Sequence, residues 1–143
     1  MSNITSNDLF IGKEQIFRDV IRLAENWMLR MESSGFEGGT LLEIHEFRKT
    51  PEGQKIDAAH DALSDYFSTL GFDDVKMLQT VMYLGRDKDY DKSLSPVEIY
   101  NDFLGYLGRR GWNSKETETN QILEKGPLAR YLISGLKILD VQL

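Results

Sequence analysis

The sequence predicts an all-α protein, a single compact bundle of six or seven helices spanning residues 1–143, and three observations predict it. Apolar residues recur at steps of three and four along most of the chain, the period of an amphipathic helix. The breaks in that period fall on Gly, Pro and clusters of Ser, Thr and Asp, which are helix stop and start signals. The chain's 143 residues, 41% hydrophobic and 28% charged, suit one globular domain that buries its own core.

Taken in order, residues 1–12 are expected to form a flexible N-terminus. From Lys13 to Met31 the residues Ile16, Phe17, Val20, Ile21, Ala24, Trp27, Met28 and Met31 make a wide apolar stripe, hence a long helix. Residues 32–39 contain Ser33-Ser34-Gly35 and Gly38-Gly39 and are expected to be a flexible loop. Thr40 to Arg48 steps both ways. Leu42 and Ile44 alternate as in a strand, while Leu41, Ile44 and Phe47 step as in a helix, and with no partner strand elsewhere the segment is read as a short helix.

Thr50-Pro51 opens a third helix, with Pro51 in the first turn and Ile56, Ala59, Leu63, Tyr66, Phe67 and Leu70 along its stripe up to Gly71. Asp73 and Asp74 are expected to cap and charge the start of the next helix, which carries Val75, Leu78, Val81 and Met82 and is expected to stop at Gly85. Ser95-Pro96-Val97-Glu98 has the form of a capping box, followed by a stripe of Ile99, Phe103, Leu104 and Leu107. After a glycine-flanked turn, a polar helix runs from Lys115 to Glu124. Gly126-Pro127 then introduces a last helix bearing Leu128, Tyr131, Leu132, Leu136 and Leu139. The centres of these stripes, Trp27, Leu63, Leu78, Val81, Phe103 and Leu132, are expected to meet in one core.

Composition narrows the function classes. Seventeen basic against 23 acidic residues give a net charge of −6, which argues against nucleic acid as partner, because that affinity comes from clustered Lys and Arg. The absence of cysteine removes disulfides, thiolate metal sites and a Cys nucleophile. No apolar run approaches the ~20 residues a membrane helix requires, and the N-terminus lacks the pattern of a signal peptide, so a cytoplasmic location without membrane contact is expected.

Chemistry-bearing motifs are few. Asp87 to Glu98 reads as a twelve-residue calcium loop, with Asp87, Asp89 and Asp91 at positions one, three and five and Glu98 at twelve. Against calcium stands Lys92 at position six, where the turn needs a left-handed residue and a non-glycine costs ~1–2 kcal/mol. Glu98 is in addition explained as the closing residue of the capping box. His45 and His60 are flanked by carboxylates but lack a ligand spacing, which reads as surface placement. No nucleophile elbow, phosphate loop or zinc-protease pattern occurs, so no enzyme activity, catalytic residue, metal ligand or cofactor is expected. Arg86, after Gly85, is expected to bond the last helix carbonyls and to pair with Asp89 or Asp91. Arg109, Arg110 and Trp112, clustered at the glycine-flanked turn, are the candidate partner-binding residues, since Arg and aromatics dominate interaction hot spots.

Leu84-Gly85-Arg86 followed by Asp89-Tyr90-Asp91, and then Tyr131-Leu132-Ile133-Ser134-Gly135-Leu136, carry a resemblance. They look like the motifs of a family of bacterial all-helical proteins known as a domain of unknown function, in which a helix ends in Trp-Leu-Gly-Arg-Gly-Asp-Tyr and a closing helix holds Tyr-Leu-x-x-Gly-Leu. Here Tyr83 stands for the Trp, Asp87 for the second Gly, and the following loop is longer. The resemblance implies a compact helical fold and transfers no residue role.

These readings lead to the expectation of a non-catalytic cytoplasmic protein-interaction or regulatory module with a protein partner. Two alternatives stay open: a calcium-responsive helix-loop-helix protein using Asp87 to Glu98, and a small acidic phage or mobile-element inhibitor of a host protein.

Overall fold

Hydroxyl side chains start four of the helices. In the computed structural model, which describes residues 8–143, Thr40, Thr50, Ser95 and Ser114 stand at N-caps in extended conformation. Each accepts a hydrogen bond from the backbone N–H three residues on, which satisfies one of the donors a helix start leaves open. The capping box expected at Ser95 and Glu98 is complete, and a second, Thr40 with Glu43, makes the ambiguous segment helical.

The described residues form seven helices: α1 (Glu14–Ser34), α2 (Leu41–Arg48), α3 (Pro51–Ser68), α4 (Phe72–Asp87), α5 (Pro96–Arg110), α6 (Lys115–Leu123) and α7 (Leu128–Ile138). The described residues contain no strand, and none of their helices is long and apolar enough to cross a membrane.

α4 is the central helix. Val75, Met77, Leu78, Gln79, Thr80, Val81, Met82, Leu84 and Gly85 are all buried, because α7, α5 and α6 surround it. α1 packs on α3 and α7 through Phe17, Val20, Ala24 and Trp27, and α2 lies on α3 at the periphery. The closest approach is between α4 and α7. A Cβ on Gly85 would overlap the Tyr131 carbonyl and the Gly135 backbone, and one on Gly135 would overlap the Val81 carbonyl. Only glycine allows two helix backbones to come so near.

Several expectations are corrected here. Gly85 does not stop α4; it lies inside the helix, which ends at Asp87 with Lys88 as a left-handed cap at φ 54°. Asp73 and Asp74 charge the first turn of α4 but do not cap it, for Gly71 holds the N-cap position. Asp74 instead forms a 2.9 Å ion pair with Lys13. α1 continues through residues 32–34 of the expected loop and stops at Gly35, left-handed at φ 69°. In the remaining connection Phe36 stacks on Phe47 of α2, centroids 4.1 Å apart and nearly parallel.

Of the expected flexible stretch 1–12, residues 1–7 lie outside the described residues. Phe10 is buried, packed against Phe17 at 4.8 Å and Tyr100 at 5.1 Å. Of the six expected core residues, Trp27, Leu63, Leu78, Val81 and Leu132 join one cluster. Phe103 does not. α5 turns Ile99, Tyr100 and Leu107 inward and packs chiefly on α4, so the middle of its stripe opens onto a cleft where Phe103 is half-buried.

Polar contacts also tie helices of the bundle together. The Tyr66 hydroxyl donates to Asp19 Oδ2 at 2.9 Å, joining α3 to α1. Hydrogen bonds from Gln15 and Tyr66 hold the Asp19 carboxyl below its ordinary value, while burial and then the Asp19 bond push Tyr66 up to about 12. Burial likewise pushes Tyr100 up to about 12. His60 of α3 is not a surface residue as expected: its ring meets Trp27 edge-on at 4.8 Å, and its Nε2 hydrogen bonds the Leu123 carbonyl at 3.2 Å.

Candidate functional site

Where α4 emerges from the core, its last turns and the C-terminal half of α5 do not close against each other. The gap between them is a cleft of about 520 Å³ walled by Tyr83, Arg86, Phe103, Tyr106, Arg109 and Arg110, with Asp87, Asp89 and Asp102 at its rim. A second, adjoining cavity of about 680 Å³ lies between Tyr83, the α5–α6 connection and α6. Tyr83 and Arg110 line both.

The three candidate partner-binding residues fall on these walls. Arg109 lines the first cavity, Trp112 the second, and Arg110 both. Arg109 and Arg110 are exposed in the last turn of α5, where their charge complements the helix dipole, and form no ion pair among the described residues. Trp112 is half-buried, its indole Nε1 beside Gly108 and the Lys76 ammonium 5.6 Å from its ring. It therefore wedges under the turn and lines the cavity at once.

Arg86 behaves differently from its expectation. Its guanidinium is held by the adjacent Asp87 through bonds of 2.8 and 3.3 Å, not by Asp89 or Asp91, and lies 4.4 Å from the Tyr83 ring. The Asp87 hydrogen bond raises it further above the ordinary arginine value. Asp87 wins because α4 continues past Gly85, which places that carboxylate next to the guanidinium before the chain turns at Lys88.

The calcium reading meets a specific obstacle. The left-handed residue of Asp87 to Glu98 is Lys88, at the second position; Lys92, at the sixth, has no positive φ. The chain does turn at Lys92, with the Leu94 N–H bonded to the Asp91 carbonyl at 3.1 Å, but without the left-handed residue that brings calcium-loop carboxylates together. Asp87 is engaged by Arg86, and Asp91 Oδ1 accepts from the Ser93 hydroxyl at 2.6 Å and its N–H at 2.9 Å. Glu98 accepts from the Ser95 N–H at 3.0 Å. These bonds hold both Asp91 and Glu98 below their ordinary carboxyl values. Among the described residues no three His, Cys, Asp or Glu side chains are grouped to hold a metal. His45 is exposed on α2.

Sequence reasoning missed the polar floor of the second cavity. Glu118 of α6, 3% exposed, lines it, and its Oε1 accepts only a long 3.5 Å hydrogen bond from Asn113 Nδ2. Gln121 lines the same cavity and accepts from Gln79 Nε2 of α4 at 3.2 Å, while the buried Gln79 Oε1 has no partner. A signal existed. Glu118 lies one helical turn before the buried Ile122, and so on the inward face of what otherwise reads as a polar helix.

No protein-family model matches the chain, and no curated protein or solved structure matches it. The class of protein is thus defined by fold and surface alone: an all-α helical bundle with a polar, aromatic cleft at one edge. Leu84-Gly85-Arg86 of α4 and Tyr131 to Leu136 of α7 meet across the α4–α7 contact, with Gly85 and Gly135 as its points of closest approach. Their glycines serve packing.

Proposed function

We propose that the protein is a non-catalytic interaction or regulatory module of the cytoplasm that engages a protein partner through the edge formed by α4, α5 and the α5–α6 turn. The observation that carries this reading is the pair Arg109 and Arg110, exposed and without ion pairs among the described residues, set beside Phe103, Tyr106 and Trp112. Tyr106 is 51% exposed, a large ring left in solvent next to guanidinium groups. Arg and aromatic side chains supply most of the energy in measured interfaces, because they bury much area at small entropic cost while keeping directed polar contacts. Asp87, Asp89 and Asp102 along the same cleft balance the arginines and oppose a nucleic-acid backbone, which supports a protein partner.

The test places a photo-crosslinking residue at Tyr106 and, separately, at Leu29 on the far helix α1. A protein captured only from position 106 is then purified, and its affinity is measured for the wild type and for the Arg109→Ala, Arg110→Ala double variant. The expected result is roughly a tenfold or greater loss of affinity with an unchanged melting temperature. Equal affinity in the double variant would sink the reading.

A further inference from the structure

We infer that the cavity between α4, the α5–α6 turn and α6 is a binding site for a guanidinium group, with Glu118 as its anchor. The argument begins with the cost of burying Glu118. A carboxylate taken out of water needs a cation or several donors. Its only partner among the described residues is the 3.5 Å bond from Asn113, and no Lys, Arg or His reaches it within ion-pair distance. The first turn of α6, where Glu118 stands, offsets part of that cost through the helix dipole. That still leaves a carboxylate oxygen with acceptor capacity facing a cavity of about 680 Å³.

The rest of the cavity favours a planar cation. The Trp112 ring forms one wall, with the Lys76 ammonium 5.6 Å from its centroid, and the Tyr83 ring forms another that carries Arg86 at 4.4 Å. A guanidinium can stack on an aromatic face while its N–H fork meets a carboxylate, a combination that a compact ammonium reproduces less well. Glu124 at the rim adds a second negative charge. Arg110 and Lys125 also line the cavity and would repel a cation in part. Glu118 outweighs them because it is buried, where charge interactions are screened least. The inference goes beyond the protein-partner reading and does not depend on it, since a free small molecule and an arginine side chain share this chemistry.

The experiment titrates the full chain with agmatine, N-acetyl-arginine amide, N-acetyl-lysine amide and N-acetyl-glutamate amide, following the Trp112 indole and the backbone amides of residues 112–121 by NMR. The two guanidinium probes are expected to give saturable shifts with Kd of about 1 mM or tighter, and the glutamate probe none. Agmatine binding tighter than the blocked arginine points to a free ligand, and the reverse to a peptide side chain; either outcome supports the site. Glu118→Gln should weaken guanidinium binding by at least about tenfold, whereas Glu124→Gln should change it by less than about threefold. If Glu118→Gln fails to fold, Glu118→Asp, which keeps the charge but withdraws it, is used and should also weaken binding. Absence of saturable shifts in the wild type, or undiminished binding in the Glu118 variants, overturns the inference. The titration is run on the chain with Arg109 and Arg110 intact, so the affinity of the double variant for the crosslinked partner does not bear on it and the two proposals fail separately.

Discussion

α4 faces α7 and α5 in opposite ways. Toward α7 it gives up side chains, with Gly85 and Gly135 letting backbone meet backbone, and Val81, Leu84, Leu132 and Leu136 beside them are buried. Toward α5 and α6 it presents Tyr83 and Arg86, and the partner helices answer with Phe103, Tyr106, Arg109 and Arg110, which leave cavities between them. A contact with no spare volume can only hold the fold. A contact that leaves aromatic and charged atoms half-covered has free energy still to release on binding, which is why the functional readings sit there.

That contrast can be broken most directly through its glycines. Gly85→Ala should destabilise by about 3 kcal/mol or more, because the added Cβ meets backbone that can yield only by parting α4 from α7. Gly105→Ala on α5 should instead be neutral or stabilising by up to ~1 kcal/mol, since its Cβ meets only the mobile end of Arg109 at 3.3 Å and alanine favours the helix. Urea unfolding of the two variants side by side measures the difference, and equal losses would mean that the two contacts are alike.

Truncating the buried stripe of α4 comes next in size. Leu78, with no exposed surface, should cost ~2–5 kcal/mol as Leu78→Ala, by loss of burial and the cavity left behind. A neutral result in the same unfolding assay would place Leu78 at the open edge instead of the core.

Alkali should loosen the protein through two phenols, one partly buried and one buried. Tyr66 and Tyr100 are both raised to about 12 from 10.0, so the stability they contribute is fully present below pH 10 and is lost as the pH rises toward 12. Thermal unfolding across that window should show a falling melting temperature, with a shallower fall for Tyr100→Phe. An identical slope in the variant would assign the alkaline loss elsewhere.

The smallest effects belong to the loop beyond α4. Lys88→Gly should gain about 1 kcal/mol by relieving a left-handed non-glycine. Millimolar calcium should leave the melting temperature unmoved relative to chelator, whereas a site filled to a hundred times its dissociation constant would add about 2.7 kcal/mol. A calcium-dependent rise that disappears in Glu98→Gln would restore the helix-loop-helix reading.

The residues that were legible in sequence act locally. Ser95 with Glu98, Thr50 with Pro51, and the three-four spacing from Phe17 to Trp27 specify helix starts and faces from neighbours a turn away, so the all-α class follows from short-range chemistry. Arg109, Arg110 and Trp112 could be singled out for the same reason, as a cluster at a turn. Gly85 could not be read. A glycine after an apolar stripe looks like a stop until Gly135, far along the chain, is known to press against it. The stripe of α5 points Phe103 to the core because it says that the helix has an inward face, not whether a neighbour covers the whole of it. Glu118, Gln79 and the burial of Phe10 depend on the same long-range information. Local chemistry determined which segments coil and which way they face; only the packing of distant helices decided which faces are sealed and which remain open, because burial belongs to pairs of surfaces and a single stretch of sequence carries one of them.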